Sequence, residues 1–294
     1  MALGCALTWA ASVILFKRAE VQGHLSPHAL NLFKNCLAIA LLAATLALSG
    51  GGPDLERPPG DWLRLIVSGA VGIGLADTLY FAALRRIGAG PLALSETIYS
   101  PVVVILSVTL LGEAFGAMMA LGGAMVLGGV ALALWRSERR EPGGALTRIS
   151  PAGVGLGLLA GTLMATGVVI AKPALARSGL IEATLVRLIA GVAIQLVWIL
   201  PRPDRLAILG ILRPQPVWRT LLPASFMGAY VAMLLWMGGM KYTDASVASI
   251  LNQLTVVFTL LMAHVFLGEL LTGRRLAGAF LAISGASLIV MARG

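Results

Sequence analysis

The chain repeats itself. Aligning residues 80–132 with the stretch 156 positions later brings Tyr80-Phe81 onto Trp236-Met237, Arg85 onto Lys241 and Ala89 onto Ala245. Gly112-Glu113 falls on Gly268-Glu269, Gly122 on Gly278 and Gly129 on Gly285. Upstream, an offset of 155 puts Lys17 on Lys172, and one of 153 puts Lys34 on Arg187. A drift of a few residues is what loops absorb. A chain of this kind folds as two related halves, or one half is stranded without its counterpart.

Both copies are almost wholly apolar. With 12% charged residues and 58% apolar ones over 294 positions, and a mean hydropathy of +0.91, an ordinary soluble domain is excluded, since such domains carry about a quarter charged residues. Apolar runs of about 20 residues broken by polar or Pro/Gly punctuation mark membrane spans. Ten are expected, near 2–16, 27–48, 63–84, 91–111, 116–135, 152–172, 180–200, 218–240, 245–267 and 274–292. The first is short and ends at Lys17-Arg18, but it lacks a basic leader and a small-residue cleavage pattern, and it matches the sixth span. It is expected to remain as a helix. The loops are short apart from 49–61, 136–151 and 201–217.

Backbone in lipid must satisfy its own hydrogen bonds, so all ten spans are expected to be helical. The alternating segments of a β-barrel are absent from the sequence. The fold class is therefore an all-α membrane protein of two five-helix repeats, 1–135 and 152–294, joined by a linker at 136–151. Gly69, Gly72 and Ala76, Gly157 and Gly161, and Gly278 with Ala282 supply small faces on which helices approach closely. Cys5 and Cys36 lie in separate apolar runs and are expected to be free thiols. The net charge of +9 is spread over inter-span loops, which fits topology and anionic lipid, and no nucleic acid is expected as a partner.

Because five is odd, two consecutive copies enter the membrane in opposite senses, the plan of an inverted repeat about an axis in the membrane plane. Loops after odd-numbered spans hold 14 of the 22 basic residues and those after even-numbered spans hold 6, with Lys34 and Arg187 inside spans. The positive-inside rule then puts the linker in the cytoplasm and both termini outside it.

The end of each copy follows one pattern: a basic residue closing a span, a short turn, a span of about 20 residues ending in Gly-Glu, and a Gly-rich last span. In the first copy this runs from Arg85 and Arg86 through Glu96, Gly112-Glu113, Gly122 and Gly129; in the second, from Lys241 through Asn252, Gly268-Glu269, Gly278 and Gly285. Across essentially the whole chain this resembles the EamA-type transporters of the drug/metabolite transporter superfamily. The resemblance implies ten helices in two halves around a central cavity, and movement, often export, of a small metabolite. It does not specify the substrate. Many relatives have both termini in the cytoplasm, the reverse of what the loop charges predict.

Ionisable groups deep in the bilayer are costly unless paired or hydrated. Of 13 acids only Asp77 and Glu96 lie well inside spans, and of the bases Lys34 and Arg187. At about 1.5 Å per residue, Lys34, Asp77 and Glu96 each lie roughly 8–10 Å from the same membrane face, so they can meet. They read either as a buried ion pair or as a proton relay or site for a cationic group. Arg187 either pairs with Glu182, one turn nearer the surface, or faces a substrate carboxylate or phosphate. Glu96-Thr97 overlays Asn252-Gln253, placing adjacent polar residues in the equivalent helix of each copy. Asp77, Tyr80 and Phe81 share a helical face, as do Glu96 and Tyr99. Tyr80, Tyr99, Trp236 and Trp9 are candidates for an apolar wall with polar anchors, and Gln195 and Tyr230 are weaker ones. The Gly-Glu steps read as helix ends whose carboxylates reach water or a neighbouring helix N-terminus. Pro101 is expected to bend the fourth span. His264, in the last turn of the ninth, reads as interfacial or as a proton carrier.

No GxxxxGK[ST] loop and no ligand-spaced His/Cys/Asp/Glu cluster occurs, so neither ATP drive, nor a cofactor, nor a metal, nor an enzymatic role is expected. The expected activity is alternating-access transport of a small organic metabolite, such as an amino acid, by an inner-membrane monomer or homodimer, with protons as a possible coupling ion. The alternative is a membrane enzyme or an accessory scaffold.

Overall fold

The computed structural model describes residues 1–52, 54, 56–87, 92, 95–134, 150–267 and 273–291, with the backbone course alone at 133, 134, 260, 263–267 and 275. Among these residues every regular element is helical. The long helices are α1 (Ala2–Gly23), α2 (Pro27–Leu48), α3 (Pro59–Ile87), α4 (Tyr99–Leu111), α5 (Ala117–Leu134), α6 (Pro151–Arg177), α7 (Leu180–Ile199) and α8 (Trp218–Tyr242). They are followed by α9 (Ala245–Asn252), α10 (Leu254–Leu267) and α11 (Gly273–Met291). Six of them (α1, α2, α3, α6, α7 and α8) are long and apolar enough to cross a membrane by length and composition. Linker residues 136–149, the Gly268-Glu269 step and the His264 side chain lie outside the described residues, while Ser150 and Pro151 belong to the start of α6.

Local sequence explains the helix ends. Ser26 and Ser150 cap α2 and α6, their hydroxyls accepting from the Ala29 and Gly153 amides, and a proline follows each at the first helical position. The expected end of the first span at Lys17-Arg18 is wrong. α1 continues to Gly23, because Lys17 is paired along the helix with Glu20 at 2.7 Å, and His24 closes it in the left-handed region at φ 46°. Nor is 201–217 simply a loop. A short helix, Arg205–Leu209, and a 3₁₀ turn bury Ile208 and Ile211, and the Trp218 indole donates to the Ile211 carbonyl at 2.9 Å.

The spans are helical but not α-helical throughout, and the irregularities fall at four places that match between the copies. α3 carries a π-helical stretch at Ala70–Leu75, and α8 carries one at Phe226–Ala232. The fourth span turns at 97–98 and α4 begins at Tyr99, while the ninth is interrupted at Gln253 between α9 and α10. The expected bend at Pro101 is found as this break: Pro101 is the third residue of α4, and its ring, with the missing amide donor, acts on the turn at 97–98 that precedes it.

Small residues set the crossings. A Cβ on Gly69 would collide with the Arg187 backbone carbonyl, which holds α3 against α7. On α5 and α11, a Cβ at Gly122 would stand 2.8 Å from the Gly285 carbonyl, and one at Gly129 2.5 Å from that of Gly278. Since the earlier glycine of each helix meets the later glycine of the other, the two helices run antiparallel. Cys5 and Cys36 are both free.

Candidate functional site

The four backbone irregularities surround one cavity of about 150 Å³. The π stretches contribute Gly72 and Ile73 from α3 and Gly228 and Ala232 from α8. The broken spans contribute Glu96, Tyr99, Asn252 and Gln253. Non-α backbone at membrane depth is tolerated where protein buries it or where it faces a cavity, and π-bulges concentrate at functional sites.

Of the candidates read from the sequence, nine line this cavity: Trp9, Lys34, Asp77, Tyr80, Glu96, Tyr99, Trp236, Asn252 and Gln253. Lys34, 1% exposed, donates to Asp77 Oδ2 at 2.5 Å and to Asn35 Oδ1 at 3.0 Å. The chain of bonds continues from Asn35 Nδ2 to Asn31 Oδ1 and from Asn31 Nδ2 to Thr78 Oγ1, and Thr78 donates to the Gly74 carbonyl inside the π stretch. The ion pair is thus tied to the irregular backbone. Asn31, Asn35 and Thr78 escaped the sequence analysis, since short polar residues in an apolar run carry no signal until their partners are known. Glu96 lines the same cavity and forms no ion pair or hydrogen bond among the described residues.

Across the cavity the polar groups are differently held. Gln253 Nε2 donates to Ser100 Oγ at 2.9 Å, and Ser100 donates to the Ser249 carbonyl at 2.8 Å, so the two chain breaks are joined to each other. Asn252 Oδ1 is buried with no hydrogen-bond partner among the described residues. Trp9 tilts against Tyr80, and Tyr99 against Trp236, with centroids 6.3 and 6.4 Å apart. Phe81 packs edge-on against Phe16 in the core instead. Tyr230 bonds to Thr45 at 2.7 Å, and neither it nor Gln195 lines the cavity.

Arg187 does not line the cavity either. It stands behind the wall, 1% exposed, its guanidinium over the Trp236 ring at 5.6 Å and its Nη1 on the Met237 sulfur. The pairing with Glu182 does not form. Glu182 accepts from the Asp54 amide and stands 2.8 Å from Arg57 Nη2, because it belongs to the first turn of α7 while Arg187 lies further along.

Ion pairs between the copies gather at the C-terminal end of α6. Arg177 holds Asp61 bidentately at 2.6 and 2.9 Å, Arg57 meets Glu182, and Lys172 meets Glu113 at 3.2 Å. Glu113 also receives the Ala245 and Ser246 amides at 2.8 and 3.1 Å and the Ser246 hydroxyl at 2.5 Å, capping α9. This carboxylate does reach a neighbouring helix N-terminus. Burial raises its pKa, but the Ser246 and Ala245 hydrogen bonds and Lys172 outweigh that and leave it below the ordinary value.

The family model described as the EamA-like transporter family matches twice, over residues 1–135 and 151–291. Protein PecM of Dickeya dadantii (strain 3937) is 28% identical over 248 residues, 81% of this chain and 78% of that protein. A probable terminal-alkyne amino-acid exporter of Streptantibioticus cattleyicolor is 40% identical over 89 residues, 29% of each chain. A solved structure described as "Crystal structure of protein" superposes with a TM-score of 0.76 at 19% identity, over 99% of this chain and 96% of that one, a likeness of fold.

Proposed function

The chain belongs to the EamA-like transporter family, and from that premise we propose that it is a secondary exporter of a small organic metabolite, an amino acid or a close relative, working by alternating access. The proposed frame is ten spans in two inverted five-helix halves, 1–135 and 152–294, joined by a linker at 136–151 in a bacterial inner membrane. The antiparallel crossing of α5 and α11 and the matching π stretches and breaks support the inverted halves. The observation that carries the transport reading is the cavity itself, with charged and amide groups converging on it from both copies between irregular helices. A scaffold has no use for a polar cavity built around Lys34, Asp77, Glu96, Asn252 and Gln253.

In this reading the ion pairs near the end of α6 keep one end of the cavity shut, and the halves rock apart there when it opens. The amino-acid export named for the Streptantibioticus relative makes amino acids the first substrates to test. Flux into vesicles holding the purified chain, across amino acids, amines, sugar phosphates and dyes, is expected to single out a narrow class. Glu96→Gln is expected to abolish that flux or its pH dependence with folding intact. Flux equal to protein-free vesicles for every compound would defeat the proposal. Orientation is read by labelling Ser137→Cys in intact cells: the loop charges place it inside, so an impermeant reagent added outside is expected to leave it unlabelled.

A further inference from the structure

The two copies place charge around the cavity unequally. In the first, Lys34 is answered by Asp77, and Glu96 adds a second acid, giving a formal charge of −1. The repeat carries Lys34 to Arg187, Asp77 to Met233 and Glu96 to Asn252. The second copy therefore keeps the cation and loses both acids, giving a formal charge of +1.

Arg187 is not compensated by other means. No carboxylate among the described residues forms an ion pair with it, its Nε is buried with no hydrogen-bond partner, and its neighbours are a thioether and an indole face. An always-charged guanidinium taken out of water without a counter-ion is costly, and that cost is recovered when an anion arrives. Arg187 adjoins the cavity wall on one side. Gly72 and Trp236 both line the cavity, and a Cβ on Gly72 would lie 3.6 Å from Arg187 Nη2. Gly72 thus stands between the cavity and that nitrogen without a side chain of its own.

We propose that the cavity reads a zwitterion: Arg187, reached past Gly72 and Trp236, takes the substrate carboxylate, and Glu96, among Trp9, Tyr80 and Tyr99, takes the ammonium. Each pole fits its own chemistry. A guanidinium grips a carboxylate through paired N–H donors, and an ammonium is held by a carboxylate and aromatic faces together. The Lys34–Asp77 pair, neutral as a unit, leaves both poles free to act. Asn252, with its unpaired Oδ1, offers the ammonium a second acceptor from the opposite wall. This assignment rests on the transport reading and goes beyond it by naming the charge pattern of the substrate and the residues that select it.

The test uses matched sets that differ only in their poles: leucine, 3-methylbutylamine and 4-methylpentanoate, and phenylalanine, 2-phenylethylamine and 3-phenylpropanoate. Flux into vesicles holding the full chain and thermal stabilisation in detergent are both measured. At least one zwitterion is expected to outperform its amine and its acid by about ten-fold or more, as sites with unpaired buried polar groups discriminate. Arg187→Gln is expected to reduce the zwitterion to the level of its amine, and Glu96→Gln to the level of its acid. Met233→Asp, which places an acid in the cavity wall at the position the repeat assigns to Asp77, is expected to lose about ten-fold more zwitterion binding than Met233→Asn. An amine or an acid that performs as well as its zwitterion overturns the proposal, as does an Arg187→Gln protein that keeps the preference. Flux of sugar phosphates or dyes with none of the zwitterions overturns it while transport stands. If nothing is transported, the transport reading fails, and the melting shifts still decide between the poles: stabilisation by zwitterions alone upholds the assignment, and its absence removes it.

Discussion

The second helix of each copy carries one buried cation, and the two are treated in opposite ways. Lys34 on α2 has Asp77 at 2.5 Å and a run of amides behind it. Arg187 on α7 is equally buried but lies against Met237 and Trp236, with Met233 at the position the repeat assigns to the acid. Duplication conserved the place of the charge and not its neutralisation. The first copy therefore spends its cation on its own stability, while the second keeps one in reserve. That is how a duplicated chain comes to have a polar, asymmetric centre.

The sharpest way to break this comparison is to remove the compensating acid. Asp77→Asn leaves Lys34 charged in a site with 1% exposure, and about 3–5 kcal/mol of stability is expected to go with it, seen as a large fall in melting temperature in detergent. Removing the cation in the second copy should do the reverse. Arg187→Met takes away a charge with no counter-ion among the described residues, so the melting temperature is expected to hold or rise, corresponding to up to about 1–4 kcal/mol. A loss there as large as that of Asp77→Asn would mean that Arg187 is compensated after all.

A smaller effect concerns the pairs that join the copies. The folded-state pKa of Glu113 lies below its ordinary value of 4.5, so its contribution is fully present above that value and is lost as pH falls through the folded one. Melting temperature measured from pH 6 to pH 3 is expected to fall less steeply in Glu113→Gln than in the unaltered chain. At pH 7 the same substitution is expected to cost about 1–3 kcal/mol, as loss of a charged helix cap does. Parallel pH curves would assign the acid sensitivity elsewhere. The smallest effect expected is that of Ser100→Ala, which cuts the Gln253–Ser100–Ser249 chain for about 1 kcal/mol. It separates the tie between the two broken spans from the charge contrast, and it should leave the Asp77→Asn and Arg187→Met difference unchanged.

Much of the site could be read from the chain. Deep charges in an apolar run are too costly to be accidental, so Lys34, Asp77 and Glu96 stood out before any coordinate was known, and the 156-residue register marked Asn252-Gln253 as the counterpart of Glu96-Thr97. Helical periodicity put Tyr80 beside Asp77 and Tyr99 beside Glu96. The same periodicity misplaced Phe81, because a face shared along one helix does not say which neighbour it meets. The end of the first span was misjudged because Lys17-Arg18 reads as a boundary, whereas the pairing of Lys17 with Glu20 lets the helix continue.

By itself, the sequence determined that this is an all-helical membrane chain made of two related halves, because apolar length and a repeated register are properties of order along the chain alone. Only the tertiary structure decided where the helices stop being α-helical, since a π stretch or a break is stabilised by what lies across from it: Thr78 on the Gly74 carbonyl, Gln253 on Ser100. It alone also decided which charges meet. Asp77 and Glu182 are both acids a short distance from a buried cation in the sequence reading, yet one pairs with Lys34 and the other turns to Arg57, leaving Arg187 with no acid among the described residues. Partnership is a matter of a few ångströms between helices, and spacing along one chain does not contain it.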